Sequence, residues 1–275
     1  MPRTWLITGC STGFGSALAE AVLARGDAVV ATARNPAKLA SLAGDHPGRV
    51  CTCVLDVTRD GDAVAAVALA EKAFGGLDVL VNNAGRGLLD AVEEVTPDEY
   101  RSMFETNVFG LIETTRAALP ALRRSRRGRI VNFSSLGGIA GRAGSGLYHS
   151  TKFAVEGLSE ALAQEVAPFG IAVIILEPGP FRTDFLGRSL SVARAEMPEY
   201  AGTAGKVRLA QKRNDGKQAG DPAKAVAVIL KAVDADDPPL HLPLGEAAYA
   251  GARAKFAAFE KTMGDWEVDA RATDF

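Results

Sequence analysis

The sequence predicts an α/β fold with one doubly wound, parallel sheet of about seven strands. Short β-rich runs alternate with alanine-rich segments of helical spacing along the 275 residues. The β-rich runs are continuously apolar, which is typical of parallel strands buried on both faces. Alternating strands and helices give such a sheet, with helices on both faces. No Pro-, Gly- or Ser-rich linker divides the chain, so we expect a single domain over residues 1–275.

The strands come first in this assignment, because their apolar runs are short and well bounded. We predict them at Trp5–Thr8, Ala28–Thr32, Arg49–Leu55, Val79–Val81, Ile130–Phe133, Ile171–Leu176 and Leu240–Pro243. Helices with apolar residues at helical spacing are predicted at Gly15–Arg25, Asp62–Phe74, Pro97–Leu122 and Thr151–Ala167. A last helix begins at Asp221-Pro222, with Asp as N-cap and Pro at the first helical position.

The segment 181–220 interrupts this regular pattern. It has weak periodicity and many charges, together with apolar residues such as Phe185, Leu186 and Leu190. An insertion that follows the sixth strand emerges at the edge of the sheet where α/β enzymes bind ligands. We therefore expect a small substrate lid.

Composition excludes several classes of function. The formal net charge is -2 and hydrophobic residues make up 47%, which favours neither nucleic acid nor an anionic membrane as partner. The basic run 123–129 is interpreted as a solvated loop at a helix C-terminus. We expect no signal peptide and no membrane span. The three cysteines are an odd count, typical of a reducing compartment, so the cytoplasm is the expected location. The three histidines are scattered, and no metal site is expected.

A glycine-rich loop joins the first strand to the first helix. It reads Thr8-Gly9-Cys10-Ser11-Thr12-Gly13-Phe14-Gly15. Glycines permit a tight turn and close approach of the backbone to a pyrophosphate, which the helix N-terminus stabilises. A simple tight turn is the alternative, but the position in a strand–helix unit favours a Rossmann-type dinucleotide site.

The end of the second strand bears on which dinucleotide binds. Enzymes that use NAD commonly place an acidic residue here, whereas this chain has Thr32-Ala33 followed by Arg34. A guanidinium suits a 2′-phosphate, and Ser11 could add a hydroxyl. The sequence therefore predicts NADP(H) over NAD(H). The alternative is that Arg34 is only a solvated loop charge.

Three residues are candidates for the chemistry. Tyr148 and Lys152 are four residues apart, hence on one helical face, and Ser135 follows the fifth strand. A nearby ammonium is expected to lower the phenol pKa. Ser135 is placed to hydrogen-bond a carbonyl oxygen. A Tyr–Lys pair at this spacing is common on protein surfaces, so it gains meaning only from its context.

That context resembles the short-chain dehydrogenase/reductase family, of the compact type, over residues 3–245. The resemblance rests on residues 8–15, Asp56, Asn82-Asn83-Ala84-Gly85, Asn107, Ser135, Tyr148, Lys152 and Pro178-Gly179. The glycine loop and the Ala31-Thr32-Ala33-Arg34 strand end are loosely similar to the hydroxysteroid and retinol dehydrogenase branch.

The resemblance implies a role for each matching position. Asp56 and Val57 would face adenine, and Asn82, Ala84 and Gly85 would border the adenosine ribose. Lys152 would also contact the nicotinamide ribose, and Asn107 would hold a water in a proton relay. Pro178, Gly179 and Thr183 would border the nicotinamide. Two alternatives stay open: Asn107 could only satisfy helix backbone, and Thr183 could only be a helix N-cap.

The resemblance also implies reaction and assembly. The expected reaction is hydride transfer between NADP(H) and a carbonyl or secondary alcohol, with a hydrophobic substrate. A homodimer or homotetramer is expected through the long helices 97–122 and 151–167. Aromatic residues near the C-terminus, including Phe256, Phe259 and Trp266, would pack on the core or on a neighbouring subunit. The alternatives are a noncatalytic NADP(H)-sensing protein, or an isomerase or dehydratase on the same fold.

Overall fold

The structure is a computed structural model that describes residues 2–275. Its strands, in chain order, are β1 Thr4–Ile7, β2 Ala28–Ala33, β3 Val50–Val54, β4 Val79–Asn82, β5 Gly87–Leu89, β6 Arg129–Phe133, β7 Ala172–Pro178, β8 Leu190–Val192 and β9 His241–Leu244. Seven of them form a parallel sheet in the order β3-β2-β1-β4-β6-β7-β9, and β5 pairs with β8. The predicted fold class, a Rossmann-type doubly wound sheet, is confirmed.

Helices cover both faces of this sheet. They are α1 Gly13–Ala24, α2 Ala40–Asp45, α3 Asp62–Phe74, α4 Pro97–Phe104, α5 Gly110–Arg124, α6 Leu136–Ile139, α7 Gly146–Val166, α8 Lys206–Asn214, α9 Pro222–Asp234 and α10 Glu246–Arg271. Within residues 2–275, no helix combines the length and the apolar character that crossing a bilayer requires.

The core shows why the strand sequences are continuously apolar. In β1, Trp5 and Ile7 pack with α1 and α9 on one face, whereas Leu6 packs with α3, α5 and α7 on the other. Successive side chains of a strand point to opposite faces, so a sheet covered on both sides needs apolar residues at every position. Burial at about 25 cal/mol per Å² of apolar surface is the main stabilising contribution of these two layers.

Two predicted helices differ from the structure, one by an internal interruption and one by its starting residue. The predicted helix 97–122 is interrupted by a π-helical turn at Glu105–Phe109, which separates α4 from α5. Such turns add a residue to the helix and often occur at functional sites. The helix predicted from Thr151 begins at Gly146, so Tyr148 lies inside it. The last predicted helix begins as expected, because the Asp221 carboxylate accepts a hydrogen bond from the Ala223 amide at 2.9 Å.

The basic run 123–129 is only partly the solvated loop that the sequence predicted. Arg129 is buried, and its guanidinium donates to the Val233 carbonyl at 3.3 Å and the Ala235 carbonyl at 3.0 Å. These carbonyls end α9, where a cation interacts favourably with the helix dipole. Arg124 instead forms an ion pair with Glu71 of α3. The run therefore has structural partners within the chain.

Candidate active site

The sheet order reverses at β1, which pairs with β2 on one side and β4 on the other. Helices that follow these strands leave on opposite faces, so a crevice opens at the carboxyl ends of β1 and β4. Ligands of doubly wound sheets bind at such a point. The residues singled out in the sequence lie along this edge.

The glycine loop after β1 needs its glycines for two reasons. Gly9 and Gly13 have φ of 72° and 62°, a region that side chains disfavour. At Gly15 the limit is space, because a Cβ would lie 2.4 Å from the Gly9 carbonyl oxygen and 2.5 Å from Asn83 Nδ2. The start of α1 therefore packs directly against the loop backbone.

Thr8 and Asn83 hold the loop in place, and the sequence analysis assigned neither a role. The Thr8 hydroxyl accepts hydrogen bonds from the amides of Asn83 and Ala84, both at 2.9 Å. Asn83 Nδ2 donates to the carbonyls of Thr8 at 2.8 Å and Gly9 at 3.1 Å. These bonds join the ends of β1 and β4. The sequence contains a signal for this role of Asn83: it follows Asn82 directly, and successive side chains at a strand end point to opposite faces of the sheet.

The N-terminus of α1 fits the phosphates of a dinucleotide. Thr12 is its N-cap in an extended conformation, and within residues 2–275 no side chain caps this end. The first-turn amides of Gly13, Phe14 and Gly15 thus remain available to an anion, together with the positive end of the helix dipole. Ser11 lies in the same turn. The residues present fit NAD or NADP as a group.

Phe14 fixes this end of α1 by packing against two other aromatic rings. Its ring lies 5.4 Å from the Phe133 ring at the end of β6 and 5.2 Å from the Phe181 ring after β7. Tilted and edge-on aromatic pairs at such distances are favourable. The three rings connect the glycine loop to the end of β6, which leads to Ser135, and to the segment that follows β7.

The end of β2 presents Arg34 to solvent, whereas Thr32 is fully buried and donates to the Ile7 carbonyl at 3.0 Å. Asp56 lies nearby after β3. Burial opposes its ionisation, but hydrogen bonds from Thr58 and the charges of Arg34 and Arg59 outweigh it and hold its pKa below the ordinary value. Arg34 and Asp56 are therefore close enough to influence each other.

Val57 is half-buried and Asn82 is buried, and both contact neighbouring elements of the chain. The Val57 side chain fills the space beside Gly110, where a Cβ would approach it to 2.6 Å. Asn82 is buried in β4, and its Nδ2 donates to Thr115 Oγ1 and Asn132 Oδ1, both at 2.9 Å. Within residues 2–275, Asn82 Oδ1 has no hydrogen-bond partner. Ala84 and Gly85 follow on the loop that borders the crevice.

Ser135, Tyr148 and Lys152 are brought together as predicted. Ser135 is the N-cap of α6, where its Oγ accepts from the Gly137 amide at 3.0 Å, and its side chain lies close enough to the Tyr148 phenol to influence the pKa of that group. Lys152 lies one turn after Tyr148 on α7, with Nζ 5.9 Å from the phenol ring centroid. The end of β6 and one face of α7 thus converge on a single point.

The electrostatics of this point differ from the sequence-based expectation. Burial raises the pKa of Tyr148 to about 12, although the hydrogen bond from Ser135 opposes the shift. Burial also lowers the pKa of Lys152 to about 8, against the favourable charge of Glu156. Lys152 Nζ donates to the Phe133 carbonyl at 2.7 Å. The expectation of a lowered phenol pKa is wrong for the chain alone, because burial outweighs the hydrogen bond from Ser135.

Asn107 lies in the π-helical turn between α4 and α5. Its Oδ1 accepts from the Arg86 amide at 2.8 Å, and its Nδ2 donates to the Arg86 carbonyl at 2.8 Å and Thr151 Oγ1 at 3.0 Å. A Cβ on Gly85 would lie 3.4 Å from Asn107 Oδ1 and 3.8 Å from Lys152 Nζ. Asn107 therefore connects the loop after β4 to the helix that carries Tyr148 and Lys152.

The chain after β7 closes the crevice from the other side. The Gly179 amide, which follows Pro178, donates to the Leu244 carbonyl at 3.0 Å. Thr183 lies against the glycine loop, because a Cβ on Gly13 would be 3.7 Å from Thr183 Cβ. Thr183 Oγ1 accepts a long hydrogen bond from the Phe185 amide at 3.4 Å. The predicted nicotinamide neighbours thus face the predicted phosphate loop.

The segment 181–220 lies next to Tyr148. The Phe185 ring is 6.0 Å from the Tyr148 ring, and a Cβ on Gly87 would meet Leu190 and Phe185. Strand β8 of this segment pairs with β5, which follows the loop after β4. Apolar side chains of the segment therefore flank the phenol.

A buried ion pair fixes the same segment to the body of the protein. Arg208 of α8 donates to both oxygens of Glu94, at 2.6 and 3.1 Å, and both side chains are buried. The hydrogen bonds from Arg208 hold the pKa of Glu94 at about 2. Sequence analysis missed this pair, since the partners are more than a hundred residues apart and neither belongs to a local pattern.

A second buried group of acids lies behind Lys152. His241 Nδ1 is 2.8 Å from Glu177 Oε1 and 3.5 Å from Glu156 Oε2. Burial raises the pKa of Glu156 to about 7 and that of Glu177 to about 8. The three side chains are close enough to hold a metal ion in principle. Sequence analysis did not find this cluster, because its members come from α7, β7 and β9.

The fold is a parallel doubly wound sheet, and one edge of it carries a glycine loop together with a cluster of Ser, Tyr and Lys side chains. These features define a nucleotide-dependent oxidoreductase. The family described as "short chain dehydrogenase" matches residues 3–191. The chain belongs to this family, and the resemblance seen in the sequence is confirmed.

Relatives named for an oxidoreductase activity support the same class. The chain is 37% identical to a 3-ketodihydrosphingosine reductase of Bacteroides thetaiotaomicron, covering 89% of this chain and 88% of that protein. It is 38% identical to human retinol dehydrogenase 8, covering 74% of this chain and 66% of that protein. A short-chain dehydrogenase from Streptomyces avermitilis is 43% identical and superposes with a TM-score of 0.93 over 100% of both chains.

Proposed function

We propose that the protein is an NADP(H)-dependent reductase of apolar ketones that also oxidises the corresponding secondary alcohols. The observation that carries this proposal is the convergence of Ser135, Tyr148 and Lys152 beside Phe185. A phenol whose pKa is raised to about 12 is protonated at neutral pH. It can therefore act as the general acid that a carbonyl reduction requires.

The residues of the chain would divide the work as follows. Ser135 donates a hydrogen bond to the carbonyl oxygen and polarises it. Tyr148 gives its phenolic proton to that oxygen as the C–O bond becomes an alcohol. Lys152, held by the Phe133 carbonyl, stabilises the phenolate left behind. The nicotinamide of NADPH, when bound, supplies the hydride to the carbonyl carbon.

The cofactor would lie along the edge described above. Gly9, Ser11, Thr12, Gly13, Phe14 and Gly15 would hold the phosphates, and Asp56 and Val57 with Asn82, Ala84 and Gly85 would border the adenosine. Pro178, Gly179 and Thr183 would border the nicotinamide, with Tyr148 and Lys152 beside its ribose. Asn107 would act through its contacts to the Arg86 backbone and Thr151.

The preference for NADP(H) rests on Arg34. Its exposed guanidinium at the end of β2 is suited to a 2′-phosphate by charge and by bidentate geometry. Loss of one charged hydrogen-bonding partner costs about 1.5–3 kcal/mol, or roughly tenfold or more in affinity. We therefore expect Arg34→Ala to weaken NADPH at least that much and to leave NADH unchanged, as measured by fluorescence titration.

Lys38 provides a matched control for this substitution. It is an exposed cation four residues further along the same connection. Lys38→Ala should leave the preference between the two cofactors intact. An equal loss of NADPH and NADH affinity in Arg34→Ala would contradict the assignment.

The substrate class is inferred from the side chains around Tyr148. Phe185 and Leu190 of the segment 181–220 lie over β5, and we propose that this segment is a lid for a hydrophobic substrate. Two relatives, a 3-ketodihydrosphingosine reductase and retinol dehydrogenase 8, support this class. Unpaired Cys10, Cys51 and Cys53 support a reducing compartment, and we propose the cytoplasm.

A panel of carbonyl compounds tests the reaction itself. Absorbance at 340 nm would follow NADPH and NADH with aliphatic, aromatic, steroid and quinone carbonyls. We expect turnover with apolar ketones, faster with NADPH, and none in Tyr148→Phe. Bound NADPH without consumption on any carbonyl would favour a sensing protein. Product formation without net consumption would favour an isomerase or dehydratase.

A further inference from the structure

Helix α10 projects from the body of the protein. Its first turns are held there, because Ala248 and Ala252 are buried and a Cβ on Gly251 would meet Leu136. All described residues from 253 onward are exposed. The exposed part of the helix, 253–271, is about 28 Å long at 1.5 Å per residue. In proteins, most helical stability comes from packing of an apolar face, so contacts outside the single chain would stabilise this part of the helix further.

One stripe of this projecting helix is apolar. Phe256, Phe259, Met263 and Trp266 are 62%, 58%, 55% and 65% exposed, although each is a large hydrophobic residue. Their spacing alternates between three and four residues, and it continues to Ala252 on one side and Ala270 on the other. This is the heptad pattern of a helix that packs along its length against another helix. We call these six residues the α10 seam.

Charges flank the seam in an order that suits an antiparallel partner of the same sequence. Arg253 and Lys255 lie at its N-terminal end, and Glu267 and Asp269 lie at its C-terminal end. We consider two copies of α10 that are antiparallel and related by a two-fold axis at the level of Lys261. In this arrangement Phe256 faces Trp266 of the other copy, and Phe259 faces Met263 of the other copy. Arg253 then lies beside the other copy's Glu267, and Lys255 lies beside its Asp269. Each pair occurs twice because the arrangement is symmetric, so four opposite-charge contacts stand against the one like-charge contact of Glu260 with Glu260 of the other copy.

A parallel arrangement loses this match. Positions along the two helices would then be in register, so the acidic ends of the two copies, with Glu267 and Asp269, would lie together. Among residues 2–275, neither Arg253 nor Lys255 forms an ion pair within the chain. The basic end is therefore free to pair with an acidic end from outside.

We propose that the α10 seam binds the α10 seam of a second copy of this chain, as an antiparallel helix pair. Burial of four large apolar side chains from each copy supplies the main attraction. The flanking charges select the antiparallel orientation. This interface is separate from the helices 97–122 and 151–167, and it does not depend on the reaction proposed above.

Sedimentation velocity of the full chain over a range of micromolar concentrations tests the proposal. Phe259→Glu places a charge at the centre of the seam, so we expect the molar mass of the associated species to halve. Val268→Glu is the matched control, since Val268 is 84% exposed on the same helix but lies off the seam. It should associate as the original chain does. Circular dichroism would verify that both variants fold.

Charge reversal tests the orientation. Arg253→Glu and Glu267→Arg should each weaken association at least tenfold, and the double variant should restore it. Residues 253 and 267 lie about 21 Å apart along one helix, so a rescue must come from contact between copies. Glu267 also bonds Arg271 within its own helix, and loss of that bond would not be rescued from position 253.

Three results would overturn the proposal. The first is an unchanged molar mass in Phe259→Glu. The second is failure of the double charge reversal to restore association. The third is binding of the unaltered chain to phosphatidylcholine vesicles that Phe259→Glu abolishes without any change of molar mass, which would assign the seam to a lipid surface.

Discussion

The candidate site lies along the carboxyl edge of the sheet and has two halves, one beside β1 and β4 and one beside β6 and β7. Their polar groups differ in hydrogen bonding. On the side of β1 and β4, the hydroxyl of Thr8 and the amide of Asn83 are fully engaged with loop backbone. On the side of β6 and β7, Tyr148, Lys152 and Glu177 are titratable groups with shifted pKa values. Within the described residues, Glu177 Oε2 has no hydrogen-bond partner at all. The Thr8 and Asn83 groups that hold the glycine loop are thus hydrogen-bonded, whereas the β6 and β7 side retains groups that can change protonation.

The difference teaches where stability and chemistry are separated in this molecule. A satisfied loop can hold a nucleotide without reorganising, which favours binding. Buried titratable groups cost stability, but they are the ones that can exchange protons near neutral pH. Substitutions in the two halves should therefore affect different measurements.

The largest expected effect is in the catalytic half. Tyr148→Phe removes the only atom of that side chain that can donate a proton, so turnover should fall by about 10²–10⁴-fold or more. The dissociation constant for NADPH should change little, because the glycine loop is untouched. Stopped-flow turnover and fluorescence titration on the same sample measure both. Loss of cofactor binding together with turnover would break the proposed separation.

The converse substitution is in the nucleotide half. Gly15→Ala forces a Cβ against the Gly9 carbonyl and Asn83, and such overpacking costs about 1–3 kcal/mol. We expect a lower melting temperature and at least tenfold weaker NADPH binding. Gly44→Ala is the control, since a Cβ there meets nothing within 4 Å. An unchanged NADPH affinity in Gly15→Ala would show that the loop can yield.

The direction of reaction should depend on pH. In the proposed reaction, reduction uses the protonated phenol, and with the pKa of Tyr148 at about 12 this form persists throughout the neutral range. Oxidation uses the phenolate, whose fraction rises about tenfold per pH unit below the pKa. We therefore expect alcohol oxidation to increase from pH 6 to 9 while ketone reduction stays flat up to about pH 8, where Lys152 begins to lose its charge. An acidic optimum for oxidation would contradict this.

The smallest effect concerns the acids behind Lys152. Burial raises the pKa of Glu177 to about 8, so the folded chain retains a proton that the unfolded chain loses near pH 4.5. The stabilising contribution of this proton is present below that lower pKa and is lost as pH rises towards 8. Glu177→Gln stays neutral, and we expect its melting temperature to exceed the original chain's by a few degrees at pH 8, but not at pH 5. An equal difference at both pH values would show that ionisation is not the cause.

The sequence predicts much of the nucleotide half, because its constraints are local. Gly13 must adopt positive φ and Gly15 must lack a Cβ, and both requirements appear as glycines in one short loop. Tyr148 and Lys152 are likewise placed together by the period of a single helix. Even so, the π-helical turn at Asn107 is not visible in the apolar pattern, which continues through it.

Contacts between distant segments could not be predicted in this way. The Glu94–Arg208 pair and the cluster of Glu156, Glu177 and His241 each join elements that are far apart in the chain. Arg129 belongs to a basic run that resembles a solvated loop until α9 is placed beside it. The pKa of Tyr148 also depends on burial, which a one-dimensional spacing does not contain.

The aromatic contacts of Phe14 with Phe133 and Phe181 have a consequence for redesign of the enzyme. The Phe14 ring contacts the strand that leads to Ser135 and the segment that leads to Thr183, and it belongs to the glycine loop itself. Enlarging or reducing it would disturb nucleotide recognition and reaction geometry together. Arg34 lies outside this group of aromatic rings, at the exposed end of β2. If Arg34 sets the cofactor preference as proposed, the cofactor could be exchanged by substitutions at Arg34 alone, whereas substitution of Phe14 would alter both sites at once.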